Sequence, residues 1–154
     1  MKLSRLTICL AAILAASDST GLATQRLDLP GFRPAKKQDQ LTTVEFVSPE
    51  ELKAKIARNE PLVIVDLRAQ SLYEQSDRTI KGSLHTKVRK VAHRLREHSR
   101  DEEIVTYCSC PADEAAIIAA RSLRNSGFKR VRVLRGGWNA WVKASGQVEP
   151  RHRV

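Results

Sequence analysis

The chain has 154 residues, with 27 Lys and Arg against 17 Asp and Glu, a formal charge of +10 and a pI near 10.0. That length holds one domain with its own hydrophobic core and excludes two of ordinary size. Three cysteines are too few for a disulfide scaffold and point instead to a local thiol site.

At the start, Lys2 and Arg5 precede an apolar run from Leu6 to Ala16, and small and polar residues follow. This is the layout of a secretory signal peptide, with an uncleaved anchor as the competing reading. The run is about half of the ~20 residues a helix needs to cross a bilayer, so no stable span is expected after cleavage. Cleavage points with the right small residues are Ala16, Ser17 and Ala23, and residues 1–23 are assigned to the signal. Export, to the bacterial periplasm, would remove Cys9 and leave Cys108 and Cys110 where disulfides persist. Residues 24–41 hold Pro30, Pro34, Gly31 and a cluster of cations with little periodicity, and read as a linker or arm.

A folded domain is expected over 42–146, with 147–154 as a C-terminal tail. Val44 to Val47 has the look of a short strand. Ser48-Pro49-Glu50-Glu51 then supplies an N-cap, a proline for the first helical position and early acidic residues, predicting a helix to about Arg58. Asn59-Glu60-Pro61 breaks it, and Leu62 to Arg68 is a continuous apolar run ending in charge, the pattern of a strand buried on both faces. Its end, Asp66-Leu67-Arg68, belongs at the functional edge of a parallel sheet. Gln70 to Gln75 fits a short helical turn, and Ile80 to Ser83 a turn into a brief segment near Leu84.

The densest basic stretch is Lys81 to Arg100, where Val88, Val91, Ala92 and Leu95 recur at helical spacing and Lys87, Arg89, Lys90, Arg94 and Arg96 fall on other faces. An amphipathic helix with a solvated basic face accounts for this better than a nucleic-acid site, and no nucleic-acid partner is expected. Glu103 to Cys108 repeats the buried-strand pattern, Asp113 to Asn125 predicts a helix stopped by Gly127, and Val131 to Leu134 is another strand. Gly136-Gly137 opens a last short helix whose Trp138 and Trp141 suit core packing. Strands alternating with helices define an α/β fold, a central mainly parallel sheet of about five strands flanked by helices.

The informative feature is a cysteine at the junction of a buried strand and a helix. Ligands of open α/β sheets bind outside the carboxyl ends of the strands, where loop amides and the helix start favour an anion. A thiol placed there has its thiolate stabilised and becomes a usable nucleophile, and the same donors suit a persulfide.

The order of motifs resembles the rhodanese family: Asp66-Leu67-Arg68, then Thr79-Ile80-Lys81-Gly82-Ser83, then a strand ending Tyr107-Cys108, then Leu134-Arg135-Gly136-Gly137-Trp138. The resemblance covers roughly Thr42 to Gly146 and implies a single rhodanese-like domain. It also implies a sulfurtransferase that takes a sulfane sulfur onto Cys108 and passes it to a thiol or cyanide-type acceptor, or to an acceptor protein. No metal or organic cofactor is implied.

The loop Cys108, Ser109, Cys110, Pro111, Ala112, Asp113, Glu114 departs from the family pattern. Pro111 has no N–H to offer, and Asp113 or Glu114 stands where a cation would help hold thiosulfate, so a weaker thiosulfate activity is expected. The loop backbone of Ser109, Cys110, Ala112, Asp113 and Glu114 is the expected binding surface, with Asp66 and Arg68 in support, more as ties between loops than as substrate ligands. Cys110 could resolve a persulfide, pair with Cys108, help bind a soft metal or simply pack. A thiol redox protein and a non-catalytic binding module are therefore the alternatives to sulfur transfer. His85, His93 and His98 have no ligand or catalytic spacing.

Overall fold

The computed structural model describes residues 43–151. The expected signal segment, the linker and the last three residues lie outside the described residues.

The elements follow in chain order as β1 (Glu45–Val47), α1 (Pro49–Ala57), β2 (Leu62–Asp66), α2 (Gln70–Gln75), β3 (Arg78–Ile80) and β4 (Ser83–His85). A 3-10 turn (Val88–Lys90), α3 (Val91–Arg94), β5 (Glu103–Tyr107), α4 (Glu114–Asn125), β6 (Arg130–Leu134), α5 (Gly137–Lys143) and β7 (Val148–Pro150) complete the domain. Five strands form one sheet in the order β1-β6-β5-β2-β4, each pair parallel, as the continuous apolar runs foretell.

Because successive side chains of a strand point to opposite faces, the inner strands feed two cores. Ile104 of β5, Val65 of β2 and Val133 of β6 meet Ala116, Ala119, Ala120 and Leu123 of α4. On the other face Val105, Tyr107, Ile64 and Leu134 meet Leu52 of α1 and Trp141 of α5. The small residues of α4 let the helix lie close to the sheet, and the Thr106 hydroxyl, buried beneath it, donates to the Ala116 carbonyl at 3.0 Å.

Local chemistry starts and stops the helices as expected. Ser48 caps α1 by accepting the Glu51 N–H at 3.1 Å, with Pro49 in the first turn. Gly127, at φ 94°, takes the left-handed turn after α4.

Three features differ from the sequence expectation. The basic stretch is not one amphipathic helix: the 3-10 turn and α3 together span only Val88–Arg94, although Val91 and Leu95 are buried as the spacing requires. Ile80, expected to open a turn, is instead the last residue of a strand, β3, and the turn is left to Lys81 and Gly82. The expected tail contributes β7, which pairs antiparallel with β3 as Arg78↔Pro150 and Ile80↔Val148. Both strands have three residues, too few to show a period; what makes them strands is each other, with Pro150 tolerated at the end of an edge.

Candidate active site

β5 is buried along its whole length and delivers Cys108 to the carboxyl edge of the sheet, where it is 1% exposed. The chain then turns through Ser109, Cys110, Pro111 and Ala112 into α4. Two contacts hold the base of this loop. The Trp138 N–H donates to the Cys108 carbonyl at 2.9 Å, and Gly137, at φ 52°, packs so closely on that carbonyl that a Cβ would collide with it. The second glycine of the pair is there because α5 must start against the cysteine strand.

Cys108 and Cys110 are joined by a disulfide, with Cα atoms 5.7 Å apart. Each sulfur has a backbone donor. The Cys110 N–H points at Cys108 Sγ at 3.4 Å, and the Ala115 N–H, in the first turn of α4, at Cys110 Sγ at 3.5 Å. Such donors favour negative charge on sulfur when the pair is reduced.

One amide of the loop is already committed within it. The Asp113 N–H is used by the Cys110 carbonyl at 3.2 Å. Asp113 adopts a left-handed conformation at φ 54°, and its Oδ2 accepts the Gly136 N–H at 2.8 Å, so this carboxylate ties the cysteine loop to the β6–α5 turn. Asp113 is buried and lies outside the cleft lining, with its Oδ1 left without a hydrogen-bond partner among the described residues, so its charge is not cancelled by the Gly136 amide. Glu114 is exposed at the start of α4, and it and Ala112 lie outside the cleft lining.

Beneath the loop lies a buried polar knot. Asp66, at the end of β2, is fully buried and receives Nε and Nη2 of Arg68 at 2.9 and 2.7 Å. The Tyr107 hydroxyl also donates to Asp66 Oδ2, at 2.7 Å, and the Thr79 hydroxyl at 3.2 Å. Burial, and then the Asp66 charge, push the Tyr107 hydroxyl far above its ordinary pKa, which keeps it a proton donor. The Arg68 guanidinium lies 4.3 Å from the Trp138 ring centre. Asp66 and Arg68 are thus paired with each other and tie the end of β2 to β3 and β5.

The disulfide opens onto a cleft of about 550 Å³. Leu67, Ala69, Leu72, Val88, Pro111 and Ala115 give it mainly apolar walls, Ser109 and Cys110 belong to its lining, and Lys87 is its exposed cation. The sequence placed Leu67 at the functional edge and Ser109, Cys110 and Pro111 in the cysteine loop, but gave Ala69, Leu72, Lys87, Val88 and Ala115 no part in the site. Their one common signal was position just after a strand or beside the cysteine, which does not distinguish a wall from a loop. Among the described residues there is no cluster of His, Cys, Asp and Glu suited to a metal, and no helix long and apolar enough to cross a membrane. His85 stacks on Tyr73 with ring centres 3.7 Å apart and its Nε2 lies 3.0 Å from the Arg68 carbonyl.

A parallel α/β sheet presenting a cysteine loop at a strand end defines a class of thiol-bearing domains. Residues 48–144 match the rhodanese-like domain model, and the chain belongs to that family. YrkF of Bacillus subtilis (strain 168), whose name marks it as a candidate sulfur carrier protein, is 29% identical over 104 residues. The match takes in 68% of this chain but 54% of YrkF, so the chain spans about half the length of that relative. A sulfurtransferase of Allochromatium vinosum is 29% identical over 100 residues, which are 65% of this chain and 90% of that one. Of solved structures, the rhodanese-like domain of Alr3790 from Anabaena sp. superposes with a TM-score of 0.60 at 27% identity, covering 70% of this chain and 80% of that domain. These relatives support a sulfur-transfer role at the level of the family.

Proposed function

We propose that the protein is a sulfurtransferase that carries sulfur as a persulfide on Cys108. The observation that supports this most directly is the position of Cys108: buried at the end of β5, beside the cleft, with a backbone N–H directed at its sulfur. Once the disulfide is reduced, the Cys108 thiolate attacks the outer sulfur of a sulfane donor. The donor's sulfur–sulfur bond breaks, its remaining part leaves with the electron pair, and Cys108 becomes a persulfide anion. A thiolate or cyanide-type acceptor then attacks the terminal sulfur, takes it, and restores the Cys108 thiolate. Ser109 and the loop backbone orient the donor. The apolar cleft walls favour a persulfide of a small thiol over the thiosulfate dianion, for which Lys87 is the cleft's exposed charge.

The same reading places the work in the bacterial periplasm, on the strength of the leader pattern Lys2, Arg5 and Leu6 to Ala16. N-terminal sequencing of the exported protein checks this, and an intact Met1 defeats it.

A second reading, thiol–disulfide exchange through Cys108 and Cys110, is favoured by the disulfide itself. Intact mass spectrometry after treatment with sulfane donors separates the two. A gain of one sulfur, abolished in Cys108→Ser, supports sulfur transfer. Loss of two hydrogens without any sulfur loading in wild type or in Cys110→Ser supports exchange alone, and no change at either cysteine sinks both.

A further inference from the structure

We infer that Cys110 resolves the persulfide on Cys108, releasing hydrosulfide and closing the disulfide, so that the domain reduces sulfane sulfur and then needs a dithiol to reset it. This rests on the persulfide chemistry proposed above and adds to it a second, internal acceptor.

The geometry that carries it is the pair itself. Cys108 and Cys110 are separated by Ser109 alone, yet the backbone brings their sulfurs into bond, with a Cα separation inside the usual disulfide range of about 4.4–6.8 Å. A thiol that reaches Cys108 Sγ in the disulfide also reaches it when Cys108 bears an extra sulfur, because the inner sulfur of the persulfide is the same atom. The attack is intramolecular, so Cys110 competes with external acceptors at a high effective concentration. The Ala115 N–H, 3.5 Å from Cys110 Sγ at the first turn of a 12-residue helix, favours the thiolate that attacks. Cys108 and Cys110 both line the cleft, which is the space into which the departing sulfur leaves.

The step balances without an added oxidant. The Cys110 thiol forms a bond to Cys108 Sγ, the bond from that sulfur to the terminal sulfur breaks, and the terminal sulfur leaves with its electron pair and the Cys110 proton as HS⁻. Hydrosulfide is the conjugate base of a fairly acidic thiol-like acid and so is a good leaving group. The two electrons gained by the terminal sulfur come from Cys108 and Cys110, which end as the disulfide. A dithiol reductant, protein-borne or small, returns both to thiols by exchange. A single-cysteine loop, in contrast, holds its persulfide until an acceptor arrives.

The test uses full-length protein, reduced and handled without oxygen, treated with one equivalent of glutathione persulfide. Wild type and Cys110→Ser are acid-quenched over time for intact mass, and free sulfide is trapped in parallel, with donor-free protein and protein-free donor as blanks. The expected result is one added sulfur on Cys110→Ser with no sulfide above the blank. Wild type passes to the mass of the disulfide, two hydrogens lighter, with one sulfide per chain, and further donor yields sulfide only after dithiothreitol is supplied. Wild type that keeps its added sulfur as long as Cys110→Ser does, with no excess sulfide, overturns the inference while leaving persulfide formation standing. A Cys110→Ser protein that never gains sulfur overturns both, and one that gains glutathione instead shows attack at the wrong donor sulfur and likewise overturns both.

Discussion

Replacing Arg68 with Met asks how much of the site's stability rests on the ion pair beneath it. Arg68 is 3% exposed and Asp66 is fully buried, so neither charge has water to turn to. Met keeps an apolar stem of similar reach but strips from Asp66 the Nε contacts at 3.1 and 2.9 Å and the Nη2 contact at 2.7 Å. Breaking a buried pair from one side costs about 3–5 kcal/mol because the partner is left charged. Asp66 would keep the Tyr107 hydroxyl, the Thr79 hydroxyl and the Arg68 N–H. These hold the expected loss near the lower end, about 3 kcal/mol, and the forfeited stack over Trp138 adds about 1 kcal/mol. Against a total of roughly 5–15 kcal/mol for a domain, that is a large fraction. Urea unfolding followed by tryptophan fluorescence measures it. The Asp66→Asn/Arg68→Met variant removes both charges and should recover about half of the loss, since no unpaired ion remains. A loss below about 1 kcal/mol in Arg68→Met, or a double variant no more stable than the single one, refutes the argument.

Gly137→Ala places a Cβ against the Cys108 carbonyl at a left-handed backbone, and should cost about 1–3 kcal/mol with slower sulfur loading; an unchanged thermal midpoint would contradict it. Lys87→Glu reverses the exposed charge of the cleft and should lower kcat/KM for thiosulfate about fivefold at low salt, the difference shrinking as salt is added. Identical values at low salt would remove Lys87 from donor attraction. Burial alone would push the Glu103 carboxyl up, but hydrogen bonds and charge from Arg132 and Lys55 hold it below the ordinary value. An acid depressed in the folded state is less readily protonated there than in the unfolded chain, so its contribution is present above the unfolded value, near 4.3, and lost as pH falls below it. Glu103→Gln should therefore flatten the acid limb of a stability–pH curve, which chemical denaturation at successive pH values would read.

Much of the domain is legible along the chain. The runs Leu62–Asp66 and Glu103–Tyr107 are apolar without alternation because both faces are covered, and that pattern belongs to the inner strands of a parallel sheet. Ser48, Pro49 and Gly127 mark helix ends by backbone chemistry that needs no distant partner. The basic stretch misled because helical spacing of Val88, Val91 and Leu95 reports which residues face the core, and a 3-10 turn followed by one α-helical turn satisfies that spacing as well as a long helix does.

The sequence by itself determined the α/β order, the family and the cysteine at a strand end, since each depends on residues near one another in the chain or on motifs in a set order. Only the tertiary structure decided the rest of the site. The direction of Asp113 depends on Gly136, 23 residues away, and the seclusion of Asp66 on Tyr107, 41 residues away. The strand β7 depends on β3, and the cleft on walls from loops that follow separate strands. Hydrogen-bond reach and excluded volume act across space, and nothing in local propensity records which distant group will arrive.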